Sequence, residues 1–379
     1  MFSATWRNVA ALLILACCQA ANAATTQLPG LIREPFRLAV TLPDGTHADL
    51  EALLTRPDRP GRFPLALINH GLPRDPAAML AAAPENYSGT SIVFAQHGYA
   101  AVVVNRRGFG RSSGPPDVSL GPCNDRNYPS AARIWAADIL ASVTSLRQEP
   151  WADSDRVLLV GHSAGGFASL AAATHDPPGV VGIVDFAGGA GSNMPDFVCQ
   201  PERLIGTIHG FGEAVRTPSL WIFAENDHFF GPALARRMFD AYTAAGAPAE
   251  FDAAPAFGRD GHLLVYAAAP APWWPRVASF LDQLHLPTSL VVDLPPPADL
   301  PVPPGLDARG TDDFASFVTS RSYEKAFAID PHGHYGRVFG LRTTEDAEAA
   351  ALAHCKQHAW TCSMYAIDNT LVTGCAAKP

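Results

Sequence analysis

Between Val157 and Gly166 the chain reads Val-Leu-Leu-Val-Gly-His-Ser-Ala-Gly-Gly. Four apolar residues in a row, closed by Gly-x-Ser-x-Gly and followed by the helix-forming stretch Phe167 to Thr174, describe a buried strand that turns sharply into a helix. The turn leaves Ser163 in a strained conformation with its hydroxyl projecting from the sheet edge. Gly161 and Gly165 let neighbouring backbone pack closely around it. The helix that starts there aims its positive end at the same point, which favours a developing negative charge. A chain containing this string needs a sheet to carry it and helices to cover that sheet.

The flanking sequence supplies both. Leu65–Ile68, Ala101–Val104, Val180–Val184 and Leu220–Phe223 are further short apolar runs, of the kind strands buried on both faces require. Segments of helix length separate them, and Ala131 to Leu146 carries an apolar stripe of Ile134, Ile139, Leu140 and Val143. Strands alternating with helices predict a parallel sheet with right-handed crossovers. Ahead of them, residues 34–56 alternate and turn at Pro43-Asp44-Gly45, which predicts an antiparallel start.

A serine nucleophile needs a base, and the base needs an orienting acid. In a strand–helix topology of this kind the order along the chain is Ser, acid, His. Asp227 follows the strand Leu220–Phe223 and is the first choice of acid, with Glu225 and Asp185 as alternatives at strand ends. His262, in the loop segment Asp260-Gly261-His262, is the expected base, because His285 ends the last helix. An oxyanion hole needs two backbone donors. The amide of Ala164 is one, and the amide of Leu72 in Asn69-His70-Gly71-Leu72-Pro73 is the other.

Residues 34–285 resemble the α/β-hydrolase superfamily, in particular its dienelactone hydrolase and prolyl-oligopeptidase-like branches. The resemblance rests on His70-Gly71-Leu72-Pro73, on Asn105-Arg106-Arg107-Gly108-Phe109-Gly110-Arg111-Ser112-Ser113-Gly114, on the turn at Ser163, on Asp227 and on Gly261-His262. It implies an α/β fold with a mostly parallel, twisted eight-stranded sheet flanked by helices, and a Ser163–His262–Asp227 triad. Two departures stand out. Dienelactone hydrolases use cysteine where Ser163 stands, and the stretch opening at Asn105 usually opens with an acid. Residues 323–372 resemble a small uncharacterised module appended to exported bacterial proteins, which implies no chemistry.

The termini give the compartment. Arg7, the apolar run Val9 to Cys18 and Ala21-Asn22-Ala23 read as a secretory signal over residues 1–23. Ile14-Leu15-Ala16 before Cys17 offers a lipid-anchored alternative. A secreted or periplasmic protein is expected, with no membrane span in the mature chain. Cys17 and Cys18 leave with the signal, and five cysteines remain, an odd number. Cys123 and Cys199 lie in loops that emerge at the carboxyl edge of the sheet and are expected to pair as a roof over Ser163. Cys355 and Cys362 are expected to pair in the C-terminal module and leave Cys375 over. In the insertion from Gly188 to Arg216, Phe197, Ile205, His209 and Phe211 are candidate pocket walls, or ordinary core. Seven prolines between Pro287 and Pro304 deny that stretch a helix or sheet interior.

The expected layout is therefore a catalytic domain over 24–286, a proline-rich linker over 287–310 and a small α+β module over 311–379. With 27 basic and 36 acidic side chains the net charge is -9, which leaves no basic excess to neutralise phosphates, so nucleic acid is not an expected partner. The expected activity is cleavage of small-molecule carboxylic esters through an acyl-enzyme, with no cofactor and no metal. A peptidase or amidase using the same groups is the alternative, and a non-catalytic binding protein on the same fold is a third. The C-terminal module is left with three roles: docking an unknown partner, covering the site or binding the cell envelope.

Overall fold

The computed structural model describes residues 26–115, 120–267 and 271–372. The expected signal segment, Cys17 and Cys375 lie outside these residues.

The chain opens with a long antiparallel pair, β1 (Leu31–Thr41) and β2 (His47–Pro57). The central strands are β3 (Phe63–Asn69), β4 (Ala100–Val104), β5 (Ala152–His162) and β6 (Val180–Phe186). A short hairpin, β7 (Ser192–Met194) and β8 (Phe197–Val198), interrupts the series before β9 (Ser219–Ala224) and β10 (Ala249–Ala254) complete it. The eight-stranded sheet has the order β1-β2-β4-β3-β5-β6-β9-β10. It is antiparallel from β1 through the β2–β4 pair and parallel from β4 onward.

Every residue of β3 and β4 is buried, as continuous apolar runs demand of strands covered on both faces. Alternate side chains go to opposite faces. Leu65, Leu67, Val157 and Leu159 pack under α3 (Tyr128–Leu146), α4 (Ala164–Ala173), α5 (Pro201–Ala214) and α6 (Pro232–Ala244). Ala66, Ile68, Leu158 and Val160 pack under α2 (Ser88–Gln96) and α7 (Trp274–Gln283). A one-turn helix, α1 (Pro76–Ala81), precedes α2 and is capped by Asp75. The stripe predicted for 131–146 forms α3, which starts three residues earlier because Asn127 caps it through Ser130 N.

Past α7 the proline-rich stretch has neither helix nor strand up to Asp307. It is tied down: the amides of Val291 and Val292 donate to Gln96 O, and Tyr99 donates to Pro287 O. The module beyond contains α8 (Ala308–Thr319), α9 (Thr344–Lys356) and a four-stranded sheet. The sheet strands β11 (Ala326–Ile329), β12 (Tyr335–Val338), β13 (Ser363–Ile367) and β14 (Thr370–Leu371) are antiparallel. Strand β11 shows the period of two directly. Phe327 and Ile329 pack on Phe314 and Phe317 of α8, and Ala326 and Ala328 pack on Ala347, Ala351 and Cys355 of α9. Thr343 caps α9, and a Cys355–Cys362 disulfide closes its far end. A staple of this kind suits a domain with so small a core.

Two bidentate ion pairs fasten the module to the large sheet. Arg33 of β1 meets Glu324 with both nitrogens at 2.9 Å, and neither side chain has any exposed area. Arg342 meets Glu51 of β2 at 2.6 and 2.9 Å. Asn105, where an acid would be usual, donates to the same Glu51 carboxylate at 3.1 Å. An aspartate there would repel Glu51, so the departure noted in the sequence belongs to this clamp. Burial pushes the Glu51 carboxyl up, but Arg342, the Arg111 amide and Asn105 outweigh it and hold it below the ordinary 4.5. A carboxyl depressed by folding contributes stability that is present above its unfolded pKa and lost as pH falls through its folded one. Acidification below pH 4.5 is therefore expected to loosen the module ahead of the large sheet. Hydrogen exchange compared at about pH 7 and about pH 3 should show protection falling first in residues 308–372.

Candidate active site

Strand β5 delivers Ser163 at its carboxyl end, and α4 starts at the next residue. Ser163 has φ 56° and ψ −123°, a backbone geometry that costs a non-glycine residue about 1–3 kcal/mol. The surroundings impose it. A Cβ on Gly165 would strike the carbonyl oxygens of Asn69 and His70, and one on Gly161 would strike the backbone of Gly165 and Gly166. The strand order and this strained strand-to-helix turn decide the fold.

It is the α/β-hydrolase fold.

In the hydrolase domain β9 ends at Ala224, and the loop after it presents Asp227. The loop after β10 presents His262, whose Nδ1 lies 3.0 Å from Asp227 Oδ2. Both side chains are almost fully buried. The other carboxylate oxygen of Asp227 accepts the amides of Phe229 at 2.7 Å and Phe230 at 2.8 Å. Burial raises the Asp227 pKa, but the His262 bond and these two amides more than offset it and keep it below the ordinary 3.8. Nδ1 of His262 is thus committed to Asp227, and Nε2 is the nitrogen left for chemistry. The ring is held flat against Phe229, centroids 3.9 Å apart and 11° between planes, and Arg74 sits over the far face of Phe229 at 3.5 Å.

The two alternative acids are elsewhere. Glu225 is exposed. Asp185 is fully buried under the turn, against Gly166 and Gly188, with its carboxyl pushed well up by burial. Of the three, Asp227 is the one that meets His262.

The loop after β3 carries the expected second donor. The amides of Leu72 and Ala164 have no hydrogen-bond partner among the described residues. The neighbouring Gly71 amide is already used, by Tyr87 Oη at 3.0 Å. That hydroxyl belongs to a chain the sequence reading did not find. Tyr87 lies 2.8 Å from His162 Nδ1, and His162 Nε2 lies 2.9 Å from His262 O. A carbonyl only accepts, so Nε2 donates, Nδ1 accepts from Tyr87, and Tyr87 accepts from Gly71. Burial lowers the His162 pKa to about 3, which keeps the ring in this neutral form. The chain links the Leu72 loop, the serine turn and the histidine loop. Arg106 fixes the same loop from the other side, donating to His70 O at 2.7 Å. Nothing local marks Tyr87 in the sequence, since its partners are 16 and 75 positions away.

Ser163 sits between two cavities. One, of about 760 Å³, is lined by Ser163, His262, Phe109, Tyr266 and Leu263 on the hydrolase side, and by Ser316, Thr319 and Phe339 on the module side. The other, of about 210 Å³, is lined by Ser163, Ala164, Gly189, Leu120 and Phe230. Leu72 and Phe229 line both. The Cys123–Cys199 disulfide forms as expected and ties the loop after Leu120 to the start of α5. The candidate walls in that insertion do not serve as walls. Phe197 and His209 are exposed, while Ile205 and Phe211 pack on the core, Phe211 against Phe167. The apolar face of α5 turns inward onto α6, α3 and Phe167 of α4, which takes Ile205 and Phe211 away from Ser163.

The family model of the X-Pro dipeptidyl-peptidases of the S15 family matches residues 44–201, a stretch that contains Ser163 and ends before Asp227 and His262. Among solved structures, an esterase of Pyrococcus furiosus is similar at 16% identity and TM-score 0.45, covering 66% of this chain and 92% of that one. An acylaminoacyl peptidase of Pyrococcus horikoshii is similar at 18% identity and TM-score 0.45, covering 67% of this chain and 41% of that one. Dipeptidyl peptidase 4 of Porphyromonas gingivalis is similar at 17% identity and TM-score 0.46, covering 66% and 35%. No curated protein matches the chain. The family match agrees with the resemblance read from the residues.

Proposed function

We propose that the chain is an exported serine hydrolase of carboxylic esters. The observation that carries this is the convergence of Ser163, in its strained turn, with His262 oriented by Asp227 on one cavity. In the proposed cycle His262 Nε2 takes the proton as Ser163 Oγ attacks the ester carbonyl. The amides of Leu72 and Ala164 hold the oxyanion, His262 protonates the departing alcohol, and water repeats the sequence on the acyl-enzyme. Two disulfides support an oxidising compartment, and no helix among the described residues is long and apolar enough to cross a membrane.

The family match favours a second reading, a peptidase that releases dipeptides from a free amino terminus. Labelling with a fluorophosphonate, followed by mapping of the modified peptide, tests the proposal. Modification at Ser163 together with turnover of p-nitrophenyl acetate and none of X-Pro anilides is the expected result. An unlabelled Ser163 would overturn the serine hydrolase reading.

A further inference from the structure

The two cavities beside Ser163 differ in one respect that matters chemically. His262 lines the larger and is absent from the lining of the smaller. In acyl transfer the group that protonates the leaving alcohol must lie beside it, at about hydrogen-bond distance. The leaving alcohol therefore occupies the side of Ser163 where His262 is. The acyl chain takes the opposite side, next to the Ala164 amide and the glycines Gly189 and Gly191.

Resting on the proposed hydrolase chemistry, we infer that this enzyme cleaves short-chain acyl esters of a bulky alcohol, and that the C-terminal module forms the outer wall of the alcohol site. The acyl cavity of 210 Å³ corresponds to about seven groups of water or methylene size at ~30 Å³ each, enough for a short chain and not for a long fatty one. The alcohol cavity of 760 Å³ is within the range that holds a drug-sized molecule. Near Ser163 its lining is aromatic, with Phe109, Phe229, Phe257 and Tyr266. At the far side the module contributes Ser316, Thr319, Ser320, Ser322 and Phe339. Arg337 also reaches this wall, where it shares the Asp313 carboxylate, at 2.8 Å, with Arg259 at 3.1 Å.

The module holds a defined position there. The Arg33–Glu324 and Glu51–Arg342 pairs, and a 2.8 Å bond from Asn86 to Gly340 O, fix it to the hydrolase domain on either side of the residues that line the cavity. Lys325 donates to Phe317 O at 2.6 Å and Ser320 O at 2.7 Å, which secures the end of α8 where Ser316 and Thr319 sit.

The test uses the full-length protein and two ester series. With the alcohol constant, p-nitrophenyl acetate, butyrate and dodecanoate vary the acyl side. With the acyl group constant, phenyl and 2-naphthyl acetate vary the alcohol side between leaving groups of similar acidity. The expected result is a kcat/KM at least about tenfold lower for dodecanoate than for butyrate, the scale a misfitting apolar group produces in a pocket. Thr319→Trp, which fills the module's wall, is expected to lower the naphthyl-to-phenyl ratio by about tenfold and to leave the dodecanoate-to-butyrate ratio as it was. Should that variant not fold, Phe339→Ala carries the same comparison, with the alcohol ratio again the one that moves. A wild-type preference for dodecanoate, or an acyl ratio that shifts while the alcohol ratio stays, overturns the assignment even with Ser163 labelled by fluorophosphonate. Absence of labelling and of all turnover instead removes the hydrolase reading, and this inference with it.

Discussion

Replacing Ser163 with alanine is expected to lower kcat for p-nitrophenyl acetate by about a millionfold, leaving only the residual catalysis of the oxyanion donors and substrate binding. The size follows from the arrangement. His262 has one nitrogen committed to Asp227, and the base has no other hydroxyl that the serine turn offers it. The fold should survive, because the substitution removes one oxygen and leaves intact the glycines that permit the turn. Asp227→Asn provides the graded companion. It keeps the amide bonds of Phe229 and Phe230 within reach but offers His262 the wrong partner, and a loss of about 10⁴-fold is expected. Steady-state kinetics on purified protein, with circular dichroism as the check on folding, measures both. Equal turnover by wild type and Ser163→Ala would remove the catalytic role of Ser163.

The second large effect is on stability. Glu324→Ala leaves the fully buried Arg33 guanidinium without its carboxylate. Removing one partner of a buried pair costs about 3–5 kcal/mol, because the stranded charge has no water to return to. Urea denaturation should show that loss, and hydrogen exchange should locate it in residues 308–372 and in β1. The double replacement Arg33→Met with Glu324→Leu removes both charges and should recover most of the stability, since apolar groups of similar volume often serve as well as a buried ion pair. A single variant as stable as wild type would mean that the pair does not fasten the module. If the module does wall the alcohol site, Glu324→Ala should also raise KM for 2-naphthyl acetate more than for phenyl acetate.

Much of this molecule can be read without coordinates, and the readable parts share a cause. The strands β3 to β6 and β9 appear as apolar runs because burial on both faces leaves no room for polar alternation. The serine turn appears because its geometry demands glycine at fixed offsets. Asp227 and His262 can be picked out because chain order in this topology is constrained. The helix α9 announces itself through the Thr343 cap and the acidic Glu345 and Asp346. The helix α8 did not, since Gly310, Thr311 and Val318 dilute its helix propensity, and only the Asp307 cap with the Phe314–Phe317 spacing marks it. In the 188–216 insertion the choice between pocket wall and core stayed open for a related reason. An amphipathic helix shows in sequence which residues share a face, but not which neighbour that face meets.

By itself, the sequence showed the strand–helix alternation, the Ser163, Asp227 and His262 candidates and the Cys355–Cys362 pair through local period, turn chemistry and chain order; the Cys123–Cys199 pair followed from two loops leaving the same sheet edge, and the α/β-hydrolase architecture from the resemblance. The tertiary structure alone decided that Tyr87 and His162 tie the Leu72 loop to the histidine loop. It also placed the C-terminal module across the larger cavity, held by Arg33–Glu324 and Glu51–Arg342. These pairings join residues 75 to 291 positions apart, and a contact over such a separation leaves no periodic trace in a single chain.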